Sequence, residues 1–575
     1  MRSKQNQIIV FLLLVIGLLV AVSYFQSKSQ DAGYSETTKY KLVKEMFSDQ
    51  NLTSSKFQKN ISQTYYIDKT NGDNSADGTS IESAWKDFSK IKNVSFAQGD
   101  RILLKRGEIW NQPLYVPAGG IENKPIIIDA YGNGNMPVID IRNNYLNGIK
   151  IYHSNIVINN LMIQNSIKNC IAMAKSNGLK NIRLNNLKIY NAGLNGIAIS
   201  KGGTNLQIIN CYIENAKNNG IVLEGSAENK LSNVIVRDCH IKKIMDNDGI
   251  TIHQDSYGNT AGSNFLLQNN IAEMCAEQGF DITTGKNVLL VNNISDKNKQ
   301  GGILVGQSAK NVTIKRHIST NEPTEKKSAA INLQRNFGNI RLLKSIIKGN
   351  GYHLLLIKAN NVAVFNNNFI WNGGSSPVDV SGEIDNIYFI NNIILSKQNK
   401  MSRIRFLEAS RPPNHKSFYF NYNIYHVPGK DVVFYYNKKN YNFKKYQKTF
   451  KVGSHSLNIN PEFVNSSGHE LKIDSPAIDK GCFLTHPVSQ ITPNKVVVQN
   501  TLFFYKNFNF KNRQSIMFKG INETFNVIDV DYNNRIITLD KNINVNQNHL
   551  IGLNYKNSAL DIGAYEFIDL SLPID

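Results

Sequence analysis

Residues 195–200 read NGIAIS and residues 219–224 read NGIVLE, and the same Gly-Ile pair returns at residues 249–250. Each copy opens a short β-type run, followed by a turn and a second alternating run that ends in Asn or another small or polar residue. The unit recurs about every 25 residues, a period typical of repeat architectures. The recurring end positions are Asn160, Asn186, Cys211, Cys239, Asn270, Asn293, His317, Ser345, Asn368 and Asn392.

A repeat of this length, built of β-type runs and Asn/Gly turns, predicts a parallel β-helix. One coil cannot bury its own apolar face, so stacked coils must share an inner core. Asn at the recurring turn can form a hydrogen-bonded ladder that satisfies backbone groups at the bend. Cys211, Cys239 and His317 fall on this ladder, and we interpret all three as buried structural side chains.

The composition restricts the class of partner. The chain has 575 residues, a formal net charge of +21 and an apolar fraction of 41%. The apolar fraction argues against wholesale disorder. The charge favours a polyanionic partner, although Lys- and Asn-rich usage can also reflect the composition of the genome. Five cysteines without CxxC spacing indicate neither a disulfide framework nor a zinc site.

The amino terminus places MRSKQNQ ahead of the apolar run IIVFLLLVIGLLVAVSYF at residues 8–25. Basic residues before such a run are typical of an export signal, and the run is just long enough to span a bilayer. No small-x-small cleavage site follows, which favours an uncleaved anchor. We therefore expect an exported protein, periplasmic or extracellular, anchored in the inner membrane by residues 8–25 or released by cleavage. Export argues against nucleic acid and leaves an acidic polysaccharide as the expected partner.

The predicted fold is all-β: a parallel β-helix solenoid with a small C-terminal β module and an N-terminal transmembrane or signal segment. We expect a monomer. The predicted segments are 1–25 signal peptide or anchor, 26–62 linker, 63–396 β-helix, 397–494 irregular flank with the last coils, and 495–575 β module with the C-terminal cap.

The stretch DNDGITIHQD at residues 246–255 carries acids and a histidine that its sibling copies lack. Because side chains alternate along a strand, inward Ile250 and Ile252 would leave Thr251 and His253 facing outward. Stacking then predicts two outward rows, one of Glu224, His253 and Thr283, the other of Val222, Thr251, Asp281 and Leu304. The preceding turns add Asp246, Asp248 and Glu277.

Carboxylates gathered in this way repel one another unless a cation or a substrate offsets the repulsion. Asp248, Glu277 and Asp281, together with Asp246, form a candidate Ca²⁺ site, since Ca²⁺ takes hard oxygen ligands. Alternatively, two of these acids would act as an acid/base pair on a glycosidic bond. A solvated acidic turn without a ligand is the third interpretation.

Three features resemble exported right-handed parallel β-helix proteins of the polysaccharide-lyase type. They are the opening segment YYIDKTNGDNSADGTS at residues 65–80, the stacked Gly-Ile coils, and the ending SPAIDKG at 475–481 with DIGAYEF at 561–567. The resemblance covers residues 64–567 and implies a right-handed solenoid. Proteins of this type include lyases, hydrolases, epimerases and binding proteins, so it leaves the activity open.

Within that class, NDG…EQGFD is similar to the acidic core of family 9 polysaccharide lyases. By position, this resemblance implies calcium ligands at Asp248, Glu277, Gln278 and Asp281. That family carries its catalytic lysine in a Gly-aromatic-Lys strand, whereas this chain reads GGILVG at residues 301–306 and has Leu304 at the position. The order DNDG, EQG, QGG is similar to the acidic coils of polygalacturonase-like hydrolases, and ITIHQD loosely resembles the Asp-x-His motif of mannuronan epimerases.

Elimination and epimerisation both begin by removing the proton α to a uronate carboxylate, which requires a base and a cation. We expect a Ca²⁺-assisted lyase in which His253 is the base and Asp281 and Glu277 are further catalytic groups. The expected substrate contacts are Glu224, Tyr257, Lys286 and Arg335. A glycoside hydrolase or uronate epimerase, and a non-catalytic glycan-binding protein of the cell envelope, are the alternatives.

Overall fold

The computed structural model describes residues 61–566 apart from 176, 255–259, 307, 323–328, 336–337, 350, 374–375, 398–402, 407–411, 413–416, 466–467, 469, 507–512 and 556–557. Within these residues, no helix combines the length and the apolar character needed to cross a bilayer. The segment 8–25, on which the export prediction rests, and Tyr257 lie outside the described residues.

The chain winds into coils, and a full coil contributes one strand to each of three sheets, in the order A, B, C. Each sheet has fourteen strands, and all pairs are parallel except the last pair of sheet C. This is the predicted parallel β-helix, and the stacked strands run from Thr64 to Asn458.

Sheet A contains Thr64–Ile67, Arg101–Lys105, Ile126–Tyr131, Ile156–Asn159, Leu179–Asn185, Gly203–Ile209, Leu231–Arg237, Gly262–Gln268, Lys286–Val291, Lys310–Lys315, Ile340–Leu343, Asn360–Phe365, Asp385–Ile390 and Phe418–Asn421. Sheet B contains Ile109–Trp110, Val138–Asp140, Met162–Ser166, Lys188–Ala192, Tyr212–Glu214, His240–Lys242, Ile271–Glu273, Ile294–Asp296, Ile318–Glu322, Ile346–Gly349, Asn368–Trp371, Ile393–Ser396, Ile424–His426 and Leu457–Asn458. Sheet C contains Leu114–Tyr115, Asn147–Ile151, Asn169–Ala174, Asn195–Ser200, Asn219–Gly225, Ile250–Gln254, Gln278–Ile282, Gly301–Val305, Ala329–Gln334, Tyr352–Ile357, Val378–Ser381, Arg403–Phe406, Val433–Tyr436 and Lys439–Asn442.

A separate six-stranded antiparallel sheet, here called the C-terminal sheet, follows the solenoid. Its strands in spatial order are Pro487–Thr492, Lys495–Val498, Ile536–Leu539, Ile521–Asp531, Gln514–Phe518 and Ile551–Leu553. The helices of the described chain are the 3₁₀ turn Lys90–Asn93 and the α-helix Phe443–Phe450. The C-terminal sheet has its own core and also packs against the outer face of sheet A.

The Gly-Ile pairs build the interior beneath sheet C. Ile221 and Ile250 pair in register and neither is exposed. The glycine that precedes each isoleucine is required by space, because a Cβ on Gly249 would lie 2.5 Å from the carbonyl oxygen of Gly279. The repeated pair thus buries one apolar side chain per coil while the neighbouring backbone approaches closely.

The corner between sheets A and B explains the recurring Asn. One residue there adopts a left-handed φ, as Asn292 does at 54°, and the next side chain points inward. Inward Asn293 donates from Nδ2 to Leu267 O (2.8 Å) and accepts from the backbone N–H of Asn270 (2.9 Å), so the predicted ladder exists. Asn is suited to both positions, because it tolerates the left-handed conformation and its amide satisfies backbone groups.

Three predicted positions lie one residue off the inward ladder, although Asn160 and Asn186 belong to an outer one, in which Asn186 Nδ2 donates to Asn160 Oδ1 (2.7 Å). Asn160 and Asn186 are left-handed corner residues with φ of 57° and 54°, and the inward residues that follow them are leucines. Asn368 lies one residue after the ladder member Asn367, which donates from Nδ2 to Asn392 Oδ1 (3.0 Å).

The ladder cysteines and His317 are structural, as predicted. Cys211 and Cys239 are buried on successive coils, and all five cysteines of the chain are free. His317 is fully buried inside the solenoid, where its Nε2 hydrogen bonds to Ser295 Oγ (3.1 Å). Burial lowers the pKa of His317 to about 3, so the imidazole is neutral.

Candidate functional site

A groove of about 660 Å³ lies on the outer face of sheet C. The groove crosses five coils. Since adjacent coils are about 4.8 Å apart, it extends about 19 Å along the solenoid. The groove is lined by Lys168, Asn169, Leu194, Asn195, Ala198, Ser200, Asn218, Asn219, Val222, Glu224, Asn247, Asp248, Thr251, His253, Gln254, Asp281 and Thr283.

The strand register confirms the predicted row of Val222, Thr251, Asp281 and Leu304, and the pair Glu224 and His253 of the other row. Glu224 pairs with His253, and Thr251 pairs with both Val222 and Asp281. Ile252, between Thr251 and His253, is fully buried beneath them. The acids and the histidine therefore reach the groove because the side chains of each strand alternate between core and solvent.

Asp248 interrupts a ladder of asparagines at the edge of the groove. On the preceding coils, Asn195 Nδ2 donates to Asn169 Oδ1 (3.0 Å) and Asn219 Nδ2 donates to Asn195 Oδ1 (3.1 Å). Asp248 occupies the next position and keeps the backbone part of the pattern, since its Oδ1 accepts from the N–H of Gln278 (2.9 Å). An asparagine would accept the same hydrogen bond without a charge, so the fold does not require a negative charge at position 248.

The carboxyl groups of Asp248 and Asp281 are both perturbed. Burial, followed by the charges of Asp281 and Glu277, raises the pKa of Asp248 well above its usual value. Burial also raises the pKa of Asp281 to about 6, although Thr283 Oγ1 donates to Asp281 Oδ1 at 2.5 Å and opposes the rise. Carboxyl groups with raised pKa values are suited to exchange protons, and a bound cation would relieve the repulsion between them.

Asn247 joins Asp248 to Glu277. With its amide nitrogen turned toward the two carboxylates, Asn247 donates to Glu277 Oε2 (3.0 Å) and to Asp248 Oδ2 (3.2 Å). This orientation follows from chemistry, because a carboxylate oxygen can only accept. Glu277 itself is outside the groove lining, and it also accepts from Gln300 Nε2 (3.2 Å).

His253 is half-buried and lies on the fourth of the five coils that line the groove. Its Nδ1 lies 3.2 Å from the carbonyl oxygen of Gln254. A carbonyl oxygen can only accept, so the proton of the neutral ring sits on Nδ1 and the lone pair on Nε2. This is the tautomer a general base requires, with the backbone fixing the ring.

Lys168 is a groove residue that the sequence analysis missed. It lies in the turn before sheet C, where the backbone N–H of Leu194 on the next coil donates to Lys168 O (2.7 Å). Burial, with a further contribution from Lys150, lowers the pKa of Lys168. A signal was present in the sequence. Lys168 places a positive charge at a turn position that Leu194 and Asn218 occupy on the next two coils.

Three further predicted site residues are outside the groove lining. Asp246 is exposed in the turn before Asp248 and is not part of the lining. Lys286 is exposed at the start of a sheet A strand, where it pairs with Ser263 and Lys310, so it lies on another face of the solenoid. Arg335 is exposed beyond the end of its sheet C strand and also lies outside the lining.

The sequence family described as the right-handed β-helix region matches residues 126–266 and 260–394. The matched residues lie within the stacked coils, and the fold is a right-handed parallel β-helix, as the sequence resemblance implied. No curated protein sequence matches the chain.

Several solved structures are similar to the chain at low sequence identity. A family 136 glycoside hydrolase, the lacto-N-biosidase of Eubacterium ramulus, is 18% identical with a TM-score of 0.45, over 60% of this chain and 70% of that protein. Pectate lyase Pel9A is 14% identical with a TM-score of 0.41, over 88% of this chain and 98% of that protein. A family 6 polysaccharide lyase of Pseudopedobacter saltans is 17% identical with a TM-score of 0.37, over 60% of this chain and 90% of that protein.

Proposed function

We propose that this protein is an enzyme that cleaves a uronate-containing polysaccharide by β-elimination in the groove on sheet C. The observation that carries the proposal is the convergence of Asp248, Asp281 and His253 on one groove from two successive coils. The length of the groove suits a polymer, since it crosses several coils along the solenoid. The net charge of +21 favours an acidic polymer over a neutral one.

His253 is the proposed base. Its Nε2 carries the lone pair, because Nδ1 donates to the carbonyl of Gln254. In β-elimination, the base takes the proton α to the uronate carboxylate, the electron pair forms the new double bond as the glycosidic C–O bond breaks, and the leaving oxygen takes a proton from water. The carboxylate of the substrate gains negative charge during this step and must be stabilised.

Asp248 and Asp281 are proposed to supply that stabilisation by holding Ca²⁺. They fit the ion in donor type and charge, because each is a hard oxygen ligand and their mutual repulsion favours a cation. When bound, Ca²⁺ would supply positive charge next to the carboxylate of the substrate. No group of three or more His, Cys, Asp or Glu side chains with a metal-binding arrangement occurs in the described parts of the chain. Water and substrate would therefore complete the coordination, and Glu277 and Asp246 of the predicted set are not needed.

Glycoside hydrolysis is the second candidate. A specific observation favours it: the pKa of Asp281 is raised to about 6, which is the condition of a general acid that donates a proton to a leaving oxygen. Asp248 would then act as the partner carboxylate. A hydrolase of this kind needs no metal ion.

The cellular setting is also part of the proposal. We propose that residues 8–25 direct export and hold the enzyme in the inner membrane or are cleaved, and that the monomer meets its acidic polysaccharide outside the cytoplasm. Detection of the full chain in the membrane and periplasmic fractions of the native cell would support this location. Recovery in the cytoplasmic fraction alone would contradict it.

The decisive experiment incubates the purified chain with polymers of galacturonate, glucuronate, mannuronate and guluronate, with added Ca²⁺ or with chelator. Ultraviolet absorbance from unsaturated uronides that disappears with chelator would support elimination. New reducing ends without absorbance would support the hydrolase, and a changed uronate composition without cleavage would support an epimerase. Binding of a polymer without any product would favour a non-catalytic protein and contradict the proposal.

A further inference from the structure

The groove on sheet C has a floor and two edges. Its floor consists of Ala198, Val222 and Thr251, which pair in register on three successive coils. One edge carries the ladder of asparagines that ends at Asp248, and Glu224 lies on the opposite edge. A polymer that lies on this floor therefore has polar side chains on both sides.

Glu224 places a negative charge on its edge of the groove. It is half-buried and lies on the coil before His253, with which it pairs in register. On the coil before Glu224, Ser200 directly follows the pair of Ile199 and Leu223 and occupies the same row. The fold therefore does not require an acid at position 224.

The charge of Glu224 is not offset by the described residues around it. In the parts of the chain that the structure describes, none of the ion pairs includes Glu224. These parts also contain no metal-binding group of three or more His, Cys, Asp or Glu side chains, so Ca²⁺ held by Asp248 and Asp281 would not neutralise Glu224. Glu224 therefore presents a carboxylate to the molecule that fills the groove.

The carboxylate of Glu224 restricts the sugar unit that lies beside it. A carboxylate accepts hydrogen bonds and repels other carboxylates. A sugar unit that offers hydroxyl or amide N–H donors is therefore favoured at this place, and a uronate is disfavoured. The repulsion is stronger in a groove than in open water, because the effective dielectric constant is lower near the protein.

Positive charge is available on both sides of Glu224. On one side, Ca²⁺ held by Asp248 and Asp281 would bind the carboxylate of the reacting uronate, as proposed above. On the other side, Lys168 lies two coils before Glu224, at the far end of the groove. Both ends of the groove thus suit a uronate, whereas the coil of Glu224 does not.

The spacing of the coils relates this charge pattern to the polymer. One sugar unit of an extended polysaccharide advances the chain by roughly one coil spacing, about 5 Å. When the reacting uronate lies between His253 and Asp281, the next unit toward Lys168 lies at the coil of Glu224. That neighbouring unit is the one from which Glu224 excludes a carboxylate.

We propose that the substrate is a heteropolysaccharide in which uronate alternates with an uncharged sugar, and that Glu224 selects this sequence. Glu224 accepts hydrogen bonds from the hydroxyl or acetamido N–H groups of the uncharged unit and repels a uronate at the same place. Lys168 binds the carboxylate of a uronate further along the chain. The inference rests on the proposed function, because the catalytic residues of that proposal fix where the reacting uronate lies.

The first test compares the binding of oligosaccharides of equal length to the full chain with His253→Ala, which lacks the proposed base and leaves the ligands intact. The alternating ligands are glucuronate with N-acetylglucosamine and galacturonate with rhamnose. The homopolymeric ligands are oligomers of galacturonate, mannuronate and guluronate. Calorimetric titration at one Ca²⁺ concentration, and at an ionic strength that screens distant charges, should show about tenfold tighter binding of at least one alternating ligand. Equal or tighter binding of the homopolymeric ligands would overturn the proposal.

A charge-removing variant tests the role of Glu224 itself. Glu224→Gln keeps the shape of the side chain, so the affinity for the homopolymeric ligands should rise about tenfold and that for the alternating ligands should change less than about twofold. Glu228→Gln, at an exposed acid outside the groove lining, is the matched control and should leave all affinities unchanged. If Glu224→Gln leaves the ratio of the affinities unchanged, Glu224 does not select the substrate.

Product formation by the natural chain on the same oligosaccharides needs no variant and separates this inference from the proposed function. Unsaturated products that form faster from an alternating ligand would support both. Faster formation from a homopolymeric ligand would overturn the inference and leave β-elimination in place. Tighter, Glu224-dependent binding of an alternating ligand without any unsaturated product would support the inference and contradict the reaction. Binding of none of the ligands would overturn both.

Discussion

Burial and then the negative charge of Asp281 raise the pKa of Asp248, which projects into the same groove as Asp281 from the preceding coil. Neither carboxylate is needed to build the solenoid, since Asn219 fills the position of Asp248 one coil earlier and Val222 occupies the row of Asp281. The stacked coils therefore provide an internal reference for what the fold alone requires. Charged side chains at positions where neighbouring coils carry uncharged ones mark the candidate site.

The first prediction concerns Asp281. Asp281→Asn keeps the oxygen that accepts from Thr283 Oγ1 and removes the charge, so the chain should fold and lose activity by about 100-fold or more. Product formation on the best uronate polymer measures the loss, and circular dichroism checks the fold. Asp246→Asn, at an exposed acid outside the groove, should stay within about twofold of the natural chain. Full activity in Asp281→Asn would place the chemistry elsewhere.

The second prediction is a pH dependence of stability in the presence of chelator. The pKa of Asp281 in the folded chain, about 6, is higher than in the unfolded chain, so the folded state holds its proton more tightly. The stability from this group is complete at low pH and is lost as the pH rises through about 4 to 6. Relative to Asp281→Asn, the natural chain should lose at most about 3 kcal/mol of unfolding free energy over this range. Denaturant titrations at several pH values measure this difference. If the unfolding free energies of the natural chain and of Asp281→Asn change with pH in the same way, the pKa of Asp281 is not raised.

The fold could be predicted because its rules are local and repeated. Every coil has the same geometric requirements, and they produce the Gly-Ile pairs, the alternating strands and the corner asparagines. The errors arose at runs of asparagines. In Asn159–Asn160 and Asn185–Asn186 the second Asn is the left-handed corner residue, whereas in Asn292–Asn293 the second Asn is the inward residue. Composition cannot decide which of the two faces the core, so the ladder was misplaced by one residue at Asn160, Asn186 and Asn368.

The site could be predicted only where strands carry it. Alternation places His253 and Asp281 on the outer face without any structural information. Lys168 was missed because it lies in a turn, where side-chain direction has no simple period.

The third prediction concerns Lys168. If its cation binds a carboxylate of the polymer away from the reacting bond, Lys168→Met should raise KM by about tenfold, the size of one charged hydrogen bond, with a smaller change in kcat. The difference should shrink at high salt because the contact is electrostatic. Lys286→Met, at an exposed lysine on sheet A, is the matched control and should leave both constants unchanged. A fall in kcat at constant KM would instead assign Lys168 to the chemical step.

The fourth prediction concerns the glycine beneath the site. A Cβ at position 249 would lie 2.5 Å from Gly279 O and 3.0 Å from Ala272 Cβ, so Gly249→Ala must push two coils apart. We expect a loss of about 1–3 kcal/mol in unfolding free energy, the usual cost of overpacking. Gly306→Ala provides the control, because the nearest atom to its Cβ, Gln334 O, would be 3.8 Å away. Denaturant midpoints should fall for Gly249→Ala only. If both variants unfold at the same denaturant concentration, close packing between coils does not explain why glycine precedes the isoleucine in this repeat.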